Sequence, residues 1–257
     1  MVAGNTAPGR VKTTESAFAV IEALRRLDGA RVTEVADELD MAKSTAHRHL
    51  STLFDLEYLA KEGDEYHVGL QFLNLGEYAR ERKEAYRIIK PKVKQLAEET
   101  VERAQFIVEE HGQGVYVHRA TGENAVRTPN TGVGKRNAIH ATSAGKAILS
   151  RYDDERVRAI VERRGLPRLT DRTITDEDEL FAELERVRER GYSTNNEENI
   201  EGIRAVGVPV MHSEGRPIGA LSISGPVHRM KGEWFDREIP DLLLGTTSEL
   251  QLNIAYS

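Results

Sequence analysis

Lys43, Ser44, Thr45, His47, Arg48 and Ser51 crowd into the segment KSTAHRHLS and supply ammonium, hydroxyl, imidazole and guanidinium donors. Ala46, Leu50 and Leu53 are interleaved at spacings of four and three, which places them on one buried helix face and turns the donors outward. Donors on one exposed helix face suit hydrogen bonding to a rigid array of acceptors. The major groove of duplex DNA is such an array, and each good bidentate pairing with a base edge is worth about 1–3 kcal/mol of discrimination. A second polar group lies far downstream. Thr142, Ser143 and Gly145 open a helical pattern, whose free N–H groups and hydroxyls attract an anion. Ser222 and Ser224 alternate with Leu221 and Ile223, so both hydroxyls leave the same face of a strand. Together these groups could cradle a polar ligand.

Other chemistries are poorly served. Ser143 or Ser222 with His140 as base lacks the G-x-S-x-G turn and any third group to orient the histidine, so the chain is not expected to be an enzyme. His111, His118 and His140 have no metal-ligand spacing, and there is no cysteine; neither a metal nor another cofactor is expected.

The donor helix needs elements to hold it. Val35, Ala36 and Leu39 against Glu34, Asp37 and Glu38 describe a short helix starting near Thr33, whose hydroxyl would cap it. Ala36 lets the next helix cross closely, and Asp40 tolerates a left-handed turn. Upstream, residues 16–27 carry Ala17, Val20, Ile21, Leu24 and Leu27 on one stripe. Downstream, LAKEGDEYHV reads as two short strands around Gly63 and Asp64. These parts make a winged helix-turn-helix over residues 13–69, with residues 1–12 a disordered arm. Its expected DNA contacts are Arg10, Lys12, Thr33, Lys43, Ser44, Thr45, His47, Arg48, Ser51 and Lys61.

A linker helix is expected over 70–90, ended or restarted by Pro91, with a further helix over 92–103. Beyond it, strands are expected at 104–109 and 114–119 around a turn at His111, Gly112 and Gln113, and at 205–211 and 217–224. Helices are expected at 144–150, 155–163, 176–190 (capped by Thr175, with Asp178 in the reciprocal position) and from Asp236 through Ile254. Helices packed on an antiparallel sheet make residues 91–257 an α+β domain.

Whole-chain properties fit this reading. The 257 residues suffice for two domains, and 39% hydrophobic residues is enough for real cores. The net charge is −6, and residues 10–65 hold 8 basic against 12 acidic side chains, so DNA binding must rest on locally concentrated cations. A salt-rich setting would account for that acidity. No apolar run of about 18 residues and no signal pattern is present, which predicts a cytoplasmic protein without membrane contact.

Four segments in order, AKSTAHRHL, HATSAGKAIL from His140, RGYSTNNEENIEGIRAVGVPV from Arg190 and IGALSISGP from Ile218, give the chain a resemblance to IclR-family transcriptional regulators over nearly its whole length. The resemblance implies a winged helix, a linker helix, a GAF-like domain that binds a small metabolite, and homodimers that can pair into homotetramers on a palindromic operator. Family effector positions fall on Ser143, Ala144, Asn195, Ile203, Ala205, Ser222 and Ser224, with Val126 and Asn137 as further wall positions. Asn195 departs from the aspartate common in relatives that recognise small oxo-acids. A neutral amide both donates and accepts, so a sugar-derived acid, an aromatic acid and a neutral polyol all stay open as the effector. The alternative is an architectural or interaction protein of the same fold that has lost its ligand.

Overall fold

The computed structural model describes residues 9–126 and 132–256, and the chain divides into two compact units, Met1–Ala79 and Arg80–Ser257. Most of the expected disordered arm lies outside the described residues; from Lys12 the chain is helical.

The first unit packs α1 (Lys12–Leu27), α2 (Val32–Glu38) and α3 (Lys43–Asp55) with the hairpin β1 (Leu59–Glu62) and β2 (Glu65–Val68). Val20, Leu24, Val35, Ala36, Ala46, Leu50, Leu59 and Tyr66 form one core to which every element contributes. Ala36 is buried as expected, and Asp40 sits in the left-handed region at φ 47°. Two expectations are corrected. Thr33 does not cap α2, because the helix starts one residue earlier: the Glu34 carboxylate reaches back to accept from the Arg31 N–H at 2.7 Å, and an anion there also meets the positive helix end. Leu27 lies on the last turn of α1 and is 40% exposed.

The linker is two helices, α4 (Gln71–Glu81) and α5 (Glu84–Thr100), and Pro91 rides inside α5 instead of breaking it. Tyr86, Ile89, Val93, Leu96 and Ala97 bury one face of α5 around that proline. This packing outweighs the cost of about 3 kcal/mol that an interior proline imposes.

The second unit is built on β3 (Arg103–Glu110), β4 (Gln113–Thr121), β5 (Arg136–Ala138), β6 (Ser193–Asn196), β7 (Ile203–Met211) and β8 (Pro217–Pro226). They form an antiparallel sheet in the order β5-β4-β3-β8-β7-β6. Strand alternation sends Phe106, Val108, Val206, Val208, Leu221 and Ile223 to one face, against α5 and α9 (Ile239–Ala255). The other face receives α6 (Ser143–Leu149), whose Ala144, Ala147 and Ile148 pack on Ile107, Tyr116 and Ala220. Outside α6 lie α7 (Asp154–Arg164) and α8 (Glu177–Arg190), sharing Leu149, Val157, Leu180 and Leu184. The cap of α8 is Asp176, whose carboxylate accepts from the Glu179 N–H at 2.9 Å. Thr175 instead accepts from Arg168, and the box with Asp178 does not form. Strands β5 and β6 were not expected. One is three residues long and the other reads STNN, with a single β-branched residue and no apolar alternation.

Candidate nucleic-acid face and small-molecule cavity

On α3 the side chains of Lys43, Ser44, His47 and Arg48 are exposed, while Thr45 and Ser51 are half-buried. The Ser51 hydroxyl donates to the Arg48 carbonyl at 3.2 Å, leaving only its lone pairs for another partner. Among the described residues no carboxylate pairs with Lys43 or Arg48, so both cations are uncompensated. The remaining predicted contacts lie on other elements. Lys61 is exposed on β1, its ammonium 5.2 Å from the centre of the Tyr66 ring. Arg10 is drawn toward Glu15 at 3.5 Å. Lys12 and Thr33 are exposed near the starts of α1 and α2.

In the second unit, strand register lays polar residues in two rows across the α6-facing side of the sheet. One row runs Arg103, Ser224, Ala205, Asn195 over β3, β8, β7 and β6. The next runs Arg119, Gln105, Ser222, Gly207, Ser193 over β4, β3, β8, β7 and β6. Helix α6 settles on the second row: Ser143 Oγ lies 3.1 Å from Ser222 Oγ, and the Ser193 hydroxyl donates to the Ser143 carbonyl. Gly207 admits this approach, since a Cβ there would stand 2.6 Å from the Ser143 carbonyl carbon.

The first row stays partly open. A cavity of about 40 Å³ is lined by Arg103, Gln105, Ile107, Tyr116, Thr142, Asn195, Asn199, Ile200, Ile203, Ala205 and Ser224. Of the expected effector residues, Asn195, Ile203, Ala205 and Ser224 therefore come together around one hollow. Ser143, Ala144 and Ser222 do not line it; they are buried in the seam between α6 and the sheet. At the start of α6 the Gly145 N–H is taken by the Thr142 hydroxyl at 3.1 Å. Asn137 lies on β5 opposite Gly114 and is not itself among the lining residues, though its side chain stands beside the Tyr116 phenol that is. The side chain of Val126 is 44% exposed, and this residue contributes only its carbonyl, which accepts from Arg103. Sequence reasoning missed Arg103, Gln105, Ile107, Tyr116, Asn199 and Ile200. The alternation Arg103, Gln105, Ile107 was visible, but only the register joins it to Ser224.

The hollow is polar and positively charged. Gln105 Nε2 donates to Ser224 Oγ at 2.9 Å, and the Asn195 amide donates to the Ala141 carbonyl. Burial lowers the pKa of Arg103, and the neighbouring Arg119 charge lowers it further. Burial pushes the Tyr116 phenol up. Behind α6, the Lys146 ammonium is 1% exposed as a residue and is gripped by both Glu198 oxygens at 2.6 and 2.8 Å, with Glu183 at 3.8 Å. Among the described residues, no group of three or more His, Cys, Asp and Glu is placed to hold a metal ion, and no helix is long and apolar enough to cross a membrane.

Comparison with known proteins gives two family matches: an IclR helix-turn-helix domain over residues 13–63, and a bacterial transcriptional regulator IclR C-terminal domain over residues 79–248. The HTH-type transcriptional regulator KdgR of Escherichia coli is 32% identical over 228 residues, spanning 88% of this chain and 86% of that protein. The Thermotoga maritima IclR structure aligns at TM-score 0.81 with 26% identity, over 96% of this chain and 100% of that one. The inducer-binding domain of the Acinetobacter PobR transcription factor, a double mutant solved with 3-hydroxybenzoic acid, aligns at TM-score 0.60 with 31% identity, over 64% of this chain and 96% of that one.

Proposed function

This chain belongs to the IclR family of transcriptional regulators, and from that premise we propose that it binds a palindromic operator as a homodimer through α3 and is tuned by a small organic acid or sugar-derived effector held on the polar face of the sheet. The observation that carries the DNA half is the exposed donor face of α3, on which Lys43 and Arg48 have no carboxylate partner among the described residues. In a chain of net charge −6, two uncompensated cations beside Ser44, Thr45 and His47 suit a polyanion and serve nothing within the domain itself. Arg10, Lys12 and Lys61 add phosphate contacts. Gel retardation on the chain's own upstream DNA tests this: Arg48→Ala should weaken specific binding by about 1–3 kcal/mol, roughly 5- to 150-fold. Unchanged retardation by a folded variant refutes the assignment.

For the effector half, support comes from the cluster of Asn195, Ile203, Ala205 and Ser224 around one hollow, and from the acid bound by the PobR domain. At about 40 Å³ the hollow is far below the roughly 300 Å³ of an ordinary ligand site. Binding must therefore open it, and an effector that distinguishes open from closed can couple to DNA affinity, typically by about 1–3 kcal/mol. A second copy is the partner we assign to Phe18, Leu70, Leu73 and Tyr78, which are 61, 83, 61 and 72% exposed. We place the protein in the cytoplasm, with neither cofactor nor catalytic role. The Ser143 hydroxyl meets Ser222, not a histidine base.

A further inference from the structure

A cleft of about 810 Å³ opens where the start of α5, the junction of α6 with α7, the β7–β8 turn and the end of α9 meet. That volume falls within the roughly 300–1,000 Å³ of small-molecule sites, and the cleft shares no lining residue with the sheet-face hollow. Ile148, Pro217, Ile218 and Ile254 give it an apolar wall. Lys83, Arg151, Arg156 and Arg216 bring positive charge to it, and Glu84, Glu109 and Asp153 bring negative charge. The carboxylates are committed. Glu109 accepts from Arg156 at 2.7 Å and from the Tyr152 phenol at 3.1 Å, Asp153 caps α7 through the Arg156 N–H at 2.8 Å, and Glu84 pairs with Arg87 at 3.4 Å. Arg216 is likewise taken by Glu214. Two cations are left over. Arg151 is half-buried and makes no hydrogen bond or ion pair among the described residues, even at its Nε, which lies out of reach of solvent. Lys83 is exposed, its ammonium 5.2 Å from the centre of the Tyr86 ring, with no carboxylate partner among the described residues.

A half-buried guanidinium without a partner is costly to keep from water, and an anion that meets it relieves that penalty. No hydrogen bond holds Arg151 where it stands, so its stem can turn the fork into the cleft. The first turn of α5 adds donors. That helix has no side-chain cap, and the N–H groups of Glu84 and Ala85, both lining residues, have no acceptor among the described residues. A fork, an ammonium and backbone N–H groups together match the three acceptor oxygens of a phosphate better than the two of a carboxylate. We propose that this cleft is a second small-molecule site, separate from the effector hollow, which takes a phosphorylated metabolite. Its phosphate lies between Arg151, Lys83 and the start of α5, and its body lies along Ile148, Pro217 and Ile218.

The test uses the full chain with inorganic phosphate, glucose 6-phosphate and adenosine monophosphate, and with glucose and adenosine as the uncharged parents of the two esters. Binding is read by calorimetric titration. At least one ester should bind at least about tenfold more tightly than its parent. Arg151→Gln and Lys83→Gln should each weaken that ester at least about fivefold, with Arg151→Lys recovering part of the loss. Neither Gln change breaks a hydrogen bond or ion pair, so both unliganded variants should melt within about 2 °C of the natural chain. A larger drop would assign that cation to the fold and overturn its role here. An ester that binds the Arg151→Gln, Lys83→Gln double variant as tightly as the natural chain sits elsewhere and overturns the proposal. Equal binding of ester and parent, or no binding of either ester, overturns it too. A response to inorganic phosphate with neither ester shows an adventitious ion only and overturns the metabolite. The acid proposed for the sheet-face hollow stands or falls separately, since no residue changed here lines it.

Discussion

Gly207 is where the seating of α6 can be measured. A Cβ at this position would lie 2.6 Å from the Ser143 carbonyl carbon, 2.7 Å from the Ala144 nitrogen and 2.8 Å from the Ser143 oxygen. All three are backbone atoms, so no rotamer change relieves the clash. Ordinary contact begins near 3.4 Å, so Gly207→Ala must push the first turn of α6 outward by about 0.8 Å. The Ser143–Ser222 contact, now 3.1 Å, would stretch past hydrogen-bonding range, while the short Ser193 bond to the Ser143 carbonyl would lengthen but survive. Overpacking costs about 1–3 kcal/mol and the lost bond about 1. The stiffer unfolded chain returns about 0.4–1. The net is a loss of about 1–4 kcal/mol, or roughly 2–16 °C in melting temperature for a unit of this size. Calorimetry of the full chain gives the value. Gly76→Ala is the control: no atom lies within 4 Å of its added Cβ on α4, and the change should be neutral or slightly stabilising. If Gly207→Ala melts within about 1 °C of the natural chain, α6 is not seated on the sheet as described.

Two other perturbations probe the same unit. Glu198→Gln strands the buried Lys146 ammonium and should cost about 3–5 kcal/mol, whereas Lys146→Met with Glu198→Gln should cost clearly less than the two single changes added together; additive losses in thermal unfolding would show the pair is not coupled. Burial holds the pKa of His140 below the ordinary imidazole value near 6.5, with the Lys146 charge acting the same way against a bond to the Pro167 carbonyl. The unfolded chain therefore takes up a proton at this residue before the folded one does, and stability falls as pH drops below about 6.5. His140→Gln should flatten the melting-temperature slope between pH 7 and 5.5, and an unchanged slope would assign that loss to other groups.

Periodicity carried the reading furthest where one buried stripe decided an element. α3 begins at Lys43 and buries Ala46 and Leu50, and the hairpin turns at Gly63, both as the sequence predicts. Capping details failed because neighbouring carboxylates compete: Glu34 and Asp176 won the positions expected of Thr33 and Thr175. Pro91 misled because propensity is local, whereas the buried face of α5 is a tertiary property. In the cavity, the serines and Asn195 could be singled out from their residue types and the family pattern. Arg103, Gln105 and Asn199 could not, since their membership depends on which strand lies beside which. Ser143 and Ala144 were legible as part of the same seam, but not as being covered by it.

The ammonium of Lys146 and the carboxylate of Glu198 meet beneath α6 where dissolved ions hardly reach, with side chains 2 and 10% exposed. Counterions that screen surface charges over about 10 Å at 0.1 M therefore act weakly on this pair. Phosphate contacts from the α3 face behave oppositely, since each neutralised phosphate subtracts about 0.9 from the logarithmic salt slope. Raising ionic strength would then strip the regulator from its operator long before it loosened the receptor half, leaving a released protein still able to register its metabolite.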